Sequence, residues 1–297
     1  MIRSRHRLGF AAVALSSIGW SLGGLFTRLI PLDYWTMLAW RGIFGGLGLL
    51  AVLLFWRRNE HWRELRDMGW SGWFFVLQSA ACMIFYLTAL RHTSVANVAV
   101  IYATAPFLAA GLGWVVLRER PTVSSIVASV VALFGVAIMV GFGDGGTMVG
   151  DLLAFGMTAT MASTMVIARN FPRIPILSTS CVSSLLSGIL CWPIGMPLAV
   201  SAHEIWLLAA FGVLNFAIAL PLFTMGARIL PPTETALIGA METPIAPFWV
   251  WLAFREVPSA PTFIGGSIVF FAVATHLVWA EVRRNRVDLA TQPVAPT

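Results

Sequence analysis

Ten runs of about twenty mostly apolar residues, parted by short segments that carry nearly all the charge, leave this chain few folds to adopt. A helix rising 1.5 Å per residue needs about 20 apolar residues to cross a hydrocarbon core of about 30 Å. The runs lie near 8–29, 35–56, 70–90, 94–116, 122–141, 150–168, 174–193, 205–227, 231–253 and 258–280. Transmembrane strands would alternate in polarity, whereas Ile126 to Val140 is apolar on every face. The predicted class is therefore an all-α polytopic membrane protein. Only 11% of the 297 residues are charged, against about 25% in soluble domains, which excludes a water-soluble enzyme. The longest polar connections, 57–68 and 281–297, are too short for a further domain. The first run follows Arg3, Arg5 and Arg7 as a signal peptide would, but it is longer than a signal core and lacks a small-x-small cleavage site before Asp33, so it reads as a membrane anchor.

Positive residues collect in short cytoplasmic loops. All 19 here are Arg, and with the N-terminus inside, 15 fall on inner segments, three (Arg28, Arg91, Arg255) on outer ends, and Arg41 within the second span. The split predicts both termini in the cytoplasm. It also accounts for the net charge of +6 without a nucleic-acid partner, because the cations are spread over loop ends instead of forming one stripe.

The third to fifth runs are echoed by the eighth to tenth. At an offset of 138, Ala89 meets Ala227 and Pro106 meets Pro244; after a one-residue gap, Glu119 meets Glu256 and Pro121 meets Pro258. Residues 126–137 then match 263–274. With five helices per copy, an odd number, the two copies must enter the membrane from opposite sides. Inverted-topology repeats of this kind are characteristic of secondary transporters, whose sites lie near the midplane between the repeats. The expected organisation is a first repeat at 1–141, an outside linker at 142–149, a second repeat at 150–280 and a cytoplasmic tail at 281–297.

The segment TALRHTSVANVAVIYATAPFLAAGLGWVVLRERPT, 88–122, has a small-residue turn, an amphipathic helix with a central Pro and a Glu-Arg ending. It resembles the signature of the EamA-type branch of the drug/metabolite transporter superfamily. In the second copy the Pro to Glu spacing is one residue shorter and ARILPPTETA replaces the usual turn. The resemblance implies two five-helix domains, a central cavity, and export or exchange of small metabolites in a class that spans amino acids, nucleotide sugars, purines and drugs.

Ionisable groups in the hydrocarbon region are costly and face a cavity or a partner. Glu242 lies eleven residues from either end of the ninth run, so about 16 Å deep. It is the candidate for proton coupling or for holding a substrate ammonium; the structural alternative is a neutral Glu bonded to backbone opened by Pro244. Thr235, Glu242 and Trp249 recur every seven residues, as do their mates Asn97, Thr104 and Gly111. Each set shares a helix face, expected to line the cavity or to pack helix on helix. Pro106 and Pro244 should free the carbonyls of Tyr102 and Ala240 and serve as hinges or as packing kinks. Gln78, Asn215, Tyr86 and Tyr102, with Trp249 and Trp20 over the apolar part, complete the expected substrate site.

Arg41 is expected to snorkel outward or pair with Asp33, the alternative being a gate contact or anion site. His276 and the cysteines Cys82, Cys181 and Cys191 read as structural. Glu119 and Glu256 mark loop ends that are either solvated or ion-paired in a closed state, and Glu234 caps the ninth helix. Gly19–Gly23 and Gly42–Gly46 permit close helix approach within one chain or between two, leaving monomer and homodimer both open. Trp35, Trp56, Trp70, Trp192, Trp206 and Trp279 fall near run ends, where they would anchor at the interface. No Walker A, HExxH or GxSxG motif occurs, and no cofactor or metal site is expected. The leading expectation is a secondary transporter of the bacterial cytoplasmic membrane exporting small metabolites, amino acids foremost. The alternative is a membrane-embedded enzyme acting on a lipid-soluble substrate, which requires Glu242 beside His276 or another charged group in a closed pocket.

Overall fold

The computed structural model of the chain describes residues 2–56, 66, 69–93, 95–140, 147–255, 257 and 259–290. Among these all regular structure is helical. The elements are α1 (Ile2–Ser21), α2 (Gly23–Leu29), α3 (Tyr34–Trp56), α4 (Trp70–His92), α5 (Val95–Tyr102), α6 (Ala105–Leu112), α7 (Val123–Val140), α8 (Met148–Asn170), α9 (Ile176–Cys191), α10 (Ala202–Gly212), α11 (Leu220–Ile229), α12 (Pro232–Gly239), α13 (Glu242–Phe254) and α14 (Ala260–Ala290). Glu256, Pro258, 57–65 of the first polar connection, 142–146 of the expected linker and 291–297 of the tail lie outside the described residues. α14 runs on to Ala290, into the segment expected to be tail.

Seven helical stretches among the described residues are long and apolar enough to cross a membrane: Arg5–Leu29, Tyr34–Phe55, Asn97–Leu117, Met148–Asn170, Ala202–Ile229, Pro232–Phe254 and Ala260–Trp279. Val123–Met139 and Ile176–Cys191 are shorter apolar helices, and α4 has 23 residues. The outer surface is apolar, with Phe55 92%, Val115 75% and Phe263 71% exposed, as lipid contact requires. Trp70 and Trp206 are exposed near helix starts and Trp279 at the end of the apolar stretch of α14, whereas the Trp35 ring lies 5.0 Å under the Arg91 guanidinium.

Lipid removes the hydrophobic drive between helices, so close packing of small residues and interhelical hydrogen bonds hold the bundle. The main pairings are α3 with α9, α4 with α8, α7 with α14 and α1 with α11. The first shows the cause: a Cβ on Gly42 would stand 2.6 Å from the Gly188 nitrogen and 2.7 Å from the Ser184 carbonyl oxygen. The Gly42–Gly46 spacing is thus used within the chain, against α9.

Two spans are broken in the middle. Between α5 and α6 the Thr104 N–H turns back to the Ile101 carbonyl at 3.0 Å, and between α12 and α13 the Met241 N–H bonds the Ile238 carbonyl at 3.1 Å. These tight turns sit just ahead of Pro106 and Pro244, whose missing N–H and ring would clash with a continuous α ladder. The Ala240 carbonyl, expected to be left free, accepts from the Thr243 N–H at 3.2 Å. A third span is widened: a π-helical segment, Val213–Ala219, joins α10 to α11 just before Pro221. A second π segment, Gly113–Leu117, follows α6. It ends on Arg118 with φ 57°, and α13 ends on Arg255 with φ 56°, both left-handed terminal residues at corresponding places in the two halves of the sequence.

Candidate functional site

Where the broken and widened helices meet they leave a central cavity of about 460 Å³. α1 brings Trp20; α3 brings Tyr34 and Arg41; α4 brings Ser79, Cys82 and Tyr86; α5 brings Tyr102. α9 supplies Ser183 and Ser187, the π segment Asn215 and Phe216, and the start of α13 Glu242 and Thr243. The cavity reaches the exposed Thr27 and Tyr34 at the end of the bundle where α2 and α3 meet. Its other end is closed by Phe223, Tyr102 and Trp20, packed on Val13, Ala105 and Met165.

Arg41 is the cation of this cavity. Its Cζ stands 5.0 Å from the Phe211 ring centroid and 4.9 Å from that of Phe216, distances at which ring quadrupoles attract it. Its Nη2 faces the Met83 sulfur at 3.3 Å, and its buried Nε has no hydrogen-bond partner among the described residues. The expected pairing with Asp33 does not form: Arg41 lies eight residues along, about 12 Å of helix, while Asp33 Oδ1 accepts the N–H groups of Trp35 and Thr36, each at 3.0 Å, as the N-cap of α3. Burial raises the Asp33 pKa, but hydrogen bonds from Thr36 and Trp35 outweigh it and leave the carboxyl below its ordinary 3.8.

Glu242 opens α13 beside the cavity, with no ion-pair partner among the described residues. Tyr86 lies within electrostatic range of both Arg41 and Glu242, and Tyr102 within that of Glu242. The site therefore holds a guanidinium and a carboxyl group together with Tyr86 and Tyr102, inside walls of Phe, Met and Trp.

Of the expected site residues, Tyr86, Tyr102, Asn215 and Glu242 line this cavity, and Gln78, Thr104 and Trp249 do not. Gln78 is half-buried one position before the lining Ser79, whose buried hydroxyl has no partner among the described residues. Trp249 Nε1 donates to Ser21 Oγ at 2.9 Å. Thr104 donates to the Ile101 carbonyl at 2.6 Å and faces a wider, apolar groove of about 680 Å³ on the flank beside α8. Asn215 is only partly free for a ligand, since its Nδ2 donates to the Gly19 carbonyl and its own carbonyl accepts from Trp20 Nε1, both at 3.1 Å. The heptad stripes do not line the cavity as sets: the turns before α6 and α13 part Asn97 from Thr104 and Thr235 from Glu242, and Trp249, in the same helix as Glu242 but about two turns further on, is bonded to Ser21. Thr235 is fully buried and bonds Pro231, while Asn97 bonds Thr93 and Asp151. Sequence reasoning does not place Ser79 and Thr243 in this cavity, and it offers Arg41 only as an alternative gate contact or anion site. The signal for Arg41 is its solitary place inside a span, and for the other two their position next to chosen residues.

At the closed end the chain is tied by charge. Arg169 Nη2 lies 2.6 Å from Glu119 Oε1 while its Nη1 donates to the Ile229 carbonyl at 2.8 Å. His6 Nε2 stands 3.0 Å from Glu234 Oε2, so Glu234 spends its carboxylate on α1. His276 is buried between α7 and α14, 3.5 Å from the Ser125 hydroxyl and away from the cavity.

The model of the EamA-like transporter family matches residues 7–141 and again 148–277. Two relatives from Bacillus subtilis (strain 168) are similar over most of their length. The "Uncharacterized transporter YwfM" is 27% identical over 88% of this chain and 90% of its own. The "Uncharacterized transporter YojE" is 26% identical over 80% and 87%. A solved crystal structure shares the fold with a TM-score of 0.79 at 20% identity, covering 94% of this chain and 99% of its own. With a family domain present twice and a polytopic helical bundle around a central cavity, the chain belongs to the EamA-like transporter family.

Proposed function

We propose that this membrane transporter is a secondary active exporter of small metabolites, amino acids foremost, working by alternating access through the central cavity. The observation that carries the reading is a buried cavity open at one end, packed shut at the other, with Arg41 and Glu242 facing into it. The substrate site is formed by Tyr86, Tyr102, Asn215 and Glu242, with Gln78, Thr104 and Trp249 within one helix turn of lining positions or reached in another state.

Ten helices in two inverted repeats, 1–141 and 150–280, frame it. In support, the helix pairings fall into a two-fold pattern: exchanging the halves turns α4 with α8 into α1 with α11 and returns α3 with α9 and α7 with α14 to themselves. The matched breaks before Pro106 and Pro244 support their role as hinges about which the halves rock. On the arginine asymmetry both termini are cytoplasmic, the membrane is the bacterial inner one, and the cavity faces outward in this conformation. The cavity is lined by one copy of the chain, and the reading holds for a monomer or a homodimer. Against the enzyme alternative, His276 lies on the α7–α14 pair and the cavity is open at Thr27 and Tyr34, although Arg41 does share it with Glu242.

The test is counterflow into proteoliposomes containing the full-length protein, against a panel of amino acids, nucleosides and cationic drugs. Saturable uptake of an amino acid is expected. No substrate-dependent flux for any member would overturn the transport reading.

A further inference from the structure

We propose that Arg41 recognises a carboxylate on the transported molecule and thereby sets the specificity of the cavity. The proposal rests on the transport reading and deepens it, because that reading gives Arg41 no partner on the substrate. A guanidinium half-buried among apolar side chains is best held when its donors are satisfied and its charge is matched. Here the ring faces of Phe211 and Phe216 hold the cation from the sides and offer no acceptor in return. Met83 sulfur is a weak acceptor, Nε is unpartnered, and no described acidic side chain lies within ion-pair distance.

The position is built by close backbone approach. A Cβ on Gly212 would stand 2.6 Å from the Arg41 carbonyl oxygen, so α10 lies directly against α3 and sets its aromatic residues beside the guanidinium. A carboxylate fits what is missing, because its two oxygens match the planar fork of Arg donors. Glu242 faces the same cavity and would take an ammonium, so a ligand bearing both charges is bound at two points. Trp20, Phe216 and Phe223 remain for its apolar part.

The experiment uses the full-length protein in detergent, titrated calorimetrically with L-leucine, L-leucinamide and isoamylamine. The last two keep the amine and the apolar chain but lack the carboxylate. Leucine is expected to bind about 10- to 100-fold more tightly than either, the range for a hydrogen-bonded charged pair. Arg41→Gln should remove that preference by weakening leucine about 10- to 100-fold, with no loss of isoamylamine binding because a like charge has left the cavity, and Arg41→Lys should restore part of it. Equal affinity of the wild-type protein for leucine and leucinamide, or binding of the amines alone, overturns the proposal without reference to any variant. Flux separates it from the transport reading. Carboxylate-selective binding without flux sinks transport and leaves Arg41 assigned, whereas flux of cationic drugs that Arg41→Gln does not alter sinks the assignment and leaves transport standing.

Discussion

Arg169 holds Glu119 through two nitrogens, Nη2 at 2.6 Å and Nε at 2.8 Å from Oε1, and with Nη1 reaches across to the carbonyl that ends α11. One side chain thus joins the loop after α6 to α11 at the closed end of the cavity. Both members are partly exposed, so the ion pair alone is worth little; the carbonyl bond adds a second anchor. Arg169→Gln should lower stability by about 1–2 kcal/mol and Glu119→Gln by less. Both should shift the protein toward opening at that end. Spin-label distances between the loop after α6 and the end of α11 would report it, and identical distributions in wild type and both variants would show that the contact restrains nothing.

Glu242 at the start of α13 is the only acidic side chain among the described residues that line the cavity. Glu242→Gln keeps its shape and removes its ionisation. Flux measured between pH 5.5 and 8.5 should fall or lose its pH dependence, with the protein still monodisperse. A profile superimposable on the wild type would rule out a coupling role.

Gly42 packs its bare Cα against the backbone of α9, and Gly111 faces open space, with nothing within 4 Å of where a Cβ would stand. Gly42→Ala should therefore destabilise by about 1–3 kcal/mol through overpacking, whereas Gly111→Ala should be neutral or stabilising by up to about 1 kcal/mol. Thermal unfolding in detergent compares them directly. Equal effects would mean that the α3–α9 contact is looser than described.

Asp33 caps α3 from outside the membrane. Its folded pKa is depressed below 3.8 because the hydrogen bonds from Thr36 and Trp35 outweigh burial. Its contribution is therefore present above 3.8 and lost as pH falls through the lower folded value. Asp33→Ala should cost about 1 kcal/mol near neutral pH, and Asp33→Asn much less, since Asn also caps. Stability measured from pH 6 down to 2.5 should show the wild type converging on Asp33→Ala at the acid end; parallel curves would argue against the cap.

The spans are legible in the sequence because lipid imposes a length and an apolarity on every helix that crosses it, and the two prolines mark where spans break. Their consequences are less legible. A seven-residue spacing places Thr235 on the face of Glu242 and Trp249 only if the helix is continuous, and the turn at Ala240–Met241 removes that premise for Thr235. Gln78 and Ser79 differ by about 100° around α4, a distinction that no apolar run encodes. The nearness of Asp33 in sequence points Arg41 outward, but backbone N–H groups have the first claim on that carboxylate.

Arg118 and Arg255 end their helices in the left-handed region, where glycine would be relaxed. Each residue stops a helix and leaves an exposed cation at the rim. Gly at either place would ease the backbone by about 1 kcal/mol and discharge the boundary, while Lys would keep the charge and the strain. In the proposed orientation stability and topology therefore pull in opposite directions at Arg118, on the inner side, and together at Arg255, on the outer side, so a screen for thermostable variants that settled on glycine at 118 would yield chains that are sturdier and less firmly oriented.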